Sequence, residues 1–210
     1  DADHMETYGH DLDMIPAGSL PKLSVVDLSS SAITDEGLGY ICDICPNIRA
    51  LCLDSCWELS NNGLLHLGVS CPHLEVLSLN KDPNVTEIGL MAAVSNASAL
   101  RVLVFSLEAN MSHTALIALA HLDIRQLHTL AIAGFQFNGL FIQALMTLLD
   151  RSPALRRLYL DATCGLPTMH SPTPCNEDDK KAFVAMLHRI YPNLSIFTMK
   201  PVDRLNVLEM

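Results

Sequence analysis

Apolar positions along this chain follow one recurring pattern: an apolar residue, two others, an apolar residue, one other, and a third apolar residue. The pattern occurs seven times. It reads Leu23-Val26-Leu28, Ile48-Leu51-Leu53, Leu74-Leu77-Leu79 and Leu100-Leu103-Phe105, then Leu127-Leu130-Ile132, Leu155-Leu158-Leu160 and Leu194-Phe197-Met199. The steps between first residues are 25, 26, 26, 27, 28 and 39. Alternation at the end of each unit predicts a short strand with one face buried. A second periodicity agrees with the first. Thr34, Ser60, Thr86, Ser112 and Asn138 are 26 residues apart each time, and each precedes a stretch with helical periodicity. These residue types cap helix N-termini, because the side-chain oxygen accepts from an orphan backbone N–H. Proline follows at Cys45-Pro46, Cys71-Pro72, Ser152-Pro153 and Tyr191-Pro192, where it stops the helix and extends the chain toward the next strand.

Each unit is therefore strand, turn, capped helix and return loop. One unit cannot bury its own apolar ladder, whereas stacked units bury a continuous one. The expected fold is an α/β solenoid over residues 23–200, with parallel strands on a concave face and helices on a convex one. With strands about 4.8 Å apart, seven make an arc of about 30 Å, a short horseshoe segment. The last step is too long by about one short loop. The excess falls at 163–175, which is rich in Pro and Thr and is expected as an insertion at the strands' C-terminal rim. Asn176, followed by Glu177, Asp178 and Asp179, reads as the next helix start, where acids suit the dipole. Residues 1–22 lack the repeat and read as a cap or the remnant of an earlier unit. Residues 201–210 read as a tail or end cap.

Charge changes the picture of the surface more than of the core. Residues 1–90 carry 14 acids and 3 bases, a net −11, while residues 91–210 net +1. The acidic half repels phosphate backbones, so no nucleic acid is expected and a basic partner segment is. The longest uncharged stretch, 126–149, is divided by the repeat into strand, loop and helix, so no membrane span is expected.

The run Leu51-Cys52-Leu53-Asp54-Ser55-Cys56, Leu59-Ser60-Asn61-Asn62-Gly63-Leu64 and Cys71-Pro72-His73-Leu74 resembles the cysteine-containing leucine-rich repeat. That subclass occurs in F-box/leucine-rich-repeat proteins, the substrate receptors of cullin-based ubiquitin ligases. The resemblance spans residues 23–160 well and 176–200 loosely. Later repeats replace the subclass cysteine by Asp82, Glu108, Phe135 and Thr163. It implies a leucine-rich-repeat solenoid and a role in substrate recognition. The 22 residues before the first repeat are too few for an F-box, so a cullin-ligase adaptor is expected to engage only through a region outside this chain.

The cysteines raise other chemistry. Cys42-x-x-Cys45 followed by Cys52-x-x-x-Cys56 has the spacing of a thiolate metal site. The register disperses it: Cys45 and Cys71 share the position before a strand, Cys56 falls in the turn after one, and Cys52 points to the concave face. Buried free thiols are the better account. They imply a reducing, intracellular compartment, cytoplasmic or nuclear. Cys164 and Cys175 bracket the insertion with His170 between them, and read as unpaired thiols. Asn84, Asn96, Asn110 and Asn193 match the glycosylation sequon, but the recurring Ser/Thr caps create such matches by accident. His66, His73, His113, His121 and His128 fall on helices and turns with no convergent acid partners expected. No nucleophile motif, phosphate-cradling loop or zinc helix is present. Catalytic residues, cofactor and metal are therefore all expected to be absent, and the chain is not expected to be an enzyme.

What remains is the outward set of the strands. It runs from Val25, Asp27 and Ser29 through Ala50, Cys52, Asp54, Val76, Ser78 and Asn80 to Val102, Val104 and Ser106. It continues with Thr129, Ala131, Ala133, Arg157, Tyr159 and Asp161, and ends with Ile196, Thr198 and Lys200. The candidate partner-binding residues are Asp27, Asp54, Ser78, Asn80, Val104, Ser106, Arg157, Tyr159 and Asp161. Trp57 at the rim is either an anchor or a cover for the ladder edge. An acidic end, a small apolar middle and a basic, aromatic end suit a protein partner with an extended or basic segment. The alternative is a non-enzymatic scaffold subunit of a larger assembly.

Overall fold

The computed structural model describes residues 15–107, 111–122, 124–135, 137–161 and 177–199. The insertion at 163–175, with Cys164, His170 and Cys175, lies outside the described residues, as do Asn176, Lys200 and the tail. The described chain alternates strand and helix throughout: β1 (Val25–Asp27), α1 (Asp35–Ile44), β2 (Ala50–Cys52), α2 (Asn61–Ser70), β3 (Val76–Leu79), α3 (Glu87–Val94) and β4 (Val102–Ser106). It continues as α4 (Thr114–Ala120), β5 (Thr129–Ala133), α5 (Gly139–Arg151), β6 (Arg157–Asp161), α6 (Glu177–Ile190) and β7 (Ser195–Met199). The strands form one parallel sheet in sequence order, β1 to β7, and α1 to α5 pack side by side in the same order. This is an α/β solenoid-like arrangement, as the repeat predicts.

The apolar ladder is the core. Leu51, Leu77, Leu103, Leu130 and Leu158 pair in register along neighbouring strands and are fully buried. They meet Leu38, Leu64, Leu90, Leu116 and Leu145 from the helices in one continuous cluster. At the first unit the ladder is less covered: Leu23 is exposed, and Val26 and Leu28 are half-buried.

Four of the five expected caps hold. Thr34, Ser60, Thr86 and Asn138 accept through their side chains from the amides of Gly37, Asn62, Ile88 and Phe141. The fifth differs: α4 starts one residue later, with His113 at the cap position and no side-chain cap bond, while Ser112 Oγ accepts from Thr114 N at 3.3 Å. The helices α1, α2 and α5 end where proline follows, with Cys45, Cys71 and Ser152 as the capping residues.

Side chains also tie each helix start to the next. Asp35 accepts from the N–H and hydroxyl of Ser60. Asn61 Oδ1 accepts from Thr86 N and Gly89 N, and its Nδ2 donates to Thr86 Oγ1. Glu87 accepts from the Thr114 hydroxyl. Glycines at 63 and 68 let the helices come this close, because a Cβ there would meet Asp35 and the Ala92 backbone.

The seventh unit breaks the predicted alternation. In earlier units two successive amides bond one carbonyl of the preceding strand's start, as Arg156 N and Arg157 N do with His128 O. In the seventh only Ser195 N does so, to Arg156 O. One residue is missing between turn and strand, and a one-residue slip moves every side chain to the other face. Ile196 therefore pairs with Leu158 in the ladder and packs on the core, while Phe197 pairs with Tyr159 on the open face. The expected order, with Phe197 inward and Ile196 and Thr198 outward, is reversed.

Candidate functional site

The site is the face of the sheet away from the helices. Register places its residues in rows across the strands. One row runs Val25, Ala50, Val76, Val102, Thr129, Arg157, Ser195. The next runs Asp27, Cys52, Ser78, Val104, Ala131, Tyr159, Phe197. Cys52, Val102, Val104 and Ala131 pack into a second, small apolar cluster joined by Val76 and Tyr159. The middle of the face is thus a closed floor of short side chains. Tyr159 stacks on Phe197 with ring centroids 4.7 Å apart and planes within 16°. Phe197 stays 43% exposed, so the pair stands as an apolar wall at the C-terminal end of the floor.

The polar candidates are less free than their sequence positions suggest. Asp54 Oδ1 accepts from Ser78 Oγ at 2.5 Å and from Asn80 N at 3.0 Å. Ser106 Oγ accepts from Lys81 N at 2.9 Å, and Ser78 and Ser106 are buried. These groups hold the turns leaving the strands, where Ser30, Ser55 and Lys81 adopt φ of 60°, 61° and 64°. Left-handed backbone costs an L-residue about 1 kcal/mol, so those bonds stabilise a local strain that recurs in the first three units. Asn80 Oδ1 is buried with no hydrogen-bond partner. Asp27 Oδ1 accepts from Ser29 N at 2.9 Å, and Asp27 is exposed. Arg157 and Tyr159 are half-buried. The Asp161 backbone closes β6, and its side chain lies outside the described residues. Trp57 is 56% exposed at the rim, and its carbonyl accepts from Asn84 Nδ2 at 2.6 Å.

The cysteines separate by register. Cys56 Sγ donates to Leu28 O at 3.2 Å, bonding the turn of the preceding unit. In the next unit Asp82 takes that position, and its Oδ1 accepts from Cys56 N at 2.7 Å. One side-chain position thus does the same work with different chemistry. Cys52 lies in the floor, where burial, then Asp27 and Asp54, push its thiol up to about 12. The neighbouring Cys71 thiol, then burial, hold the Cys42 thiol well above its ordinary range. All five described cysteines are free and buried. Among the described residues no group of three His, Cys, Asp or Glu is placed to hold a metal ion.

One histidine departs from expectation: His66 Nε2 lies 3.1 Å from Asp43 Oδ1 of the preceding helix, an exposed pair. Helices stacked 23 residues apart in sequence bring them together, which spacing within one helix does not reveal. Among the described residues no helix is long and apolar enough to cross a membrane.

Phe197 is the residue of the face that the sequence does not reveal, because its unit retains the apolar spacing that points it inward. Thr129, on the face as its strand position implies, is 1% exposed, with an unpartnered hydroxyl in the first row opposite Arg157. In comparisons with known proteins, the chain matches no family model and no curated protein.

Proposed function

We propose that this chain is a leucine-rich-repeat solenoid of the cysteine-containing type, and that it recognises a protein partner on the open face of its sheet without catalysing a reaction. The observation that carries this reading is the apolar floor of Cys52, Val102, Val104 and Ala131 on the face of the sheet away from the helices, flanked by the stacked Tyr159 and Phe197 and by exposed Asp27 at the far edge. A floor of short side chains admits a backbone closely, and aromatic residues beside such a floor are typical binding anchors. The repeat type further supports the narrower role of substrate recognition in an F-box-type ubiquitin-ligase receptor, in an intracellular compartment where buried thiols stay reduced.

The test is affinity purification of the tagged full-length protein from its native lysate, read by mass spectrometry, for wild type, Asp27→Lys and Phe197→Ala. The expected result is a cullin and its adaptor in all three samples, with a further protein lost from the two variants. One stoichiometric complex without ligase subunits would replace the receptor role by that of a scaffold. A partner set unchanged by both substitutions would remove the open face as the recognition surface. Asp27 is the better charge probe than Asp54, whose replacement also breaks two bonds that hold the turn.

A further inference from the structure

Several described arginines are tied down by their neighbours. Arg49 pairs with Glu75, Arg151 donates to Ala120 O at 3.1 Å and contacts His121, and Arg156 donates to the carbonyls of Pro153 and Leu155. Among the described residues the guanidinium groups of Arg101 and Arg157 have no such partner. Both lie at N-terminal strand ends on either side of β5, Arg101 immediately before β4 and Arg157 opening β6. Arg157 is half-buried between Thr129 of β5 and Ser195 of β7, neither of them charged. A guanidinium with no acceptor on the protein is open to a carboxylate, which it holds with two parallel hydrogen bonds. The row beside Arg157 holds Tyr159 and Phe197, so a carboxylate here is flanked by an aromatic wall.

We propose that this end of the face is a subsite for an acidic residue of an extended peptide, with an aliphatic or aromatic side chain of the same peptide lying against Tyr159 and Phe197. The proposal rests on the open face being the recognition surface. It adds a direction to the ligand. Asp27 on β1 is five strands from β6, about 24 Å at about 4.8 Å per strand, which about seven extended residues span. The occupant is therefore a segment of about that length with an acid beside an apolar residue at one end and Lys or Arg at the other. Reversed peptides meet like charge at both ends, and the chain's net −10 repels acidic segments elsewhere.

The experiment pans a displayed library of random heptapeptides on the wild-type chain and on Arg157→Glu, Arg157→Gln, Phe197→Ala and Asp27→Lys. Denaturant midpoints verify that each variant is folded. Removing Arg157 breaks no side-chain bond, and the neutral Gln variant backs up the charge reversal. Wild type is expected to enrich an acid next to an apolar residue, and Arg157→Glu to enrich Lys or Arg at that place. A wild-type-selected peptide should bind Arg157→Gln at least about tenfold more weakly. If wild type and Arg157→Glu enrich the same sequences while Phe197→Ala or Asp27→Lys weakens them, the acidic subsite is refuted and the recognition surface stands. If none of the four substitutions alters binding, or no sequence is enriched, the surface is refuted with it.

Discussion

Gly68 sits on α2 where α3 comes closest, and replacing it by alanine sets two known effects against each other. Alanine is favoured over glycine inside a helix by about 1 kcal/mol. The added Cβ, however, would lie 2.0 Å from the carbonyl oxygen of Ala92, 2.9 Å from its carbonyl carbon and 3.3 Å from Ala93 Cα. Ordinary contact begins near 3.4 Å, so α3 must retreat by about 1.4 Å. All three atoms are backbone, and no side-chain rotation relieves them. Overpacking of this kind costs about 3 kcal/mol, the upper end of its usual span, because a whole helix must shift. The retreat also pulls on Asn96, whose Nδ2 donates to Gly68 O at 3.0 Å. The net expectation is a loss of about 2 kcal/mol, or about 4–8 °C in melting temperature for a chain of this size. Urea unfolding followed by circular dichroism measures it, with a lower midpoint at an unchanged slope. Gly139, at the first position of α5, is the control: a Cβ there meets nothing within 4 Å. Gly139→Ala should raise stability by about 0.5–1 kcal/mol. A Gly68→Ala variant as stable as wild type would falsify the close backbone approach between neighbouring units.

Three further predictions concern the bonds between units and the buried thiol of the floor. Asp82→Ala leaves the buried Cys56 amide without its acceptor and should cost about 2–3 kcal/mol, with faster hydrogen exchange at that amide; unchanged protection would exclude the bond. Asn61→Ala removes the acceptor for Thr86 N and Gly89 N and should cost about 2 kcal/mol, whereas Asn61→Asp keeps the acceptor and should lose less. The third concerns alkaline pH. Because folding raises the Cys52 thiol from 9.0 to about 12, its contribution is whole below pH 9.0 and lost as the pH climbs toward about 12. Melting temperature should fall across that window, and Cys52→Ala should flatten the fall; equal slopes in both proteins would show that Cys52 is not responsible.

Much of this protein is decided locally. The strand positions, the helix starts at Thr34, Ser60, Thr86 and Asn138, and the stops before proline follow from alternation, capping and a missing N–H, all of which act within a few residues. Their common period is enough to order the sheet, since units that bury their ladders only against neighbours must stack in sequence. The acidic N-terminal half and the short side chains of the floor are likewise visible without coordinates. Other features depend on distances between units. The apolar spacing Leu194-Phe197-Met199 matches the other units, yet the pairing with β6 slips by one residue and turns Phe197 outward to stack on Tyr159. Strand pairing energy is shared across two chains of backbone, so spacing within one unit cannot set it. Whether a polar side chain is free is decided the same way: Asp54, Ser78 and Ser106 look like binding groups in isolation, but neighbouring turns 24 to 26 residues away claim their hydrogen bonds. Arg157, with chemistry equal to that of Arg156 beside it, is left without a partner because its strand position points it across the sheet, away from the turn carbonyls that Arg156 reaches.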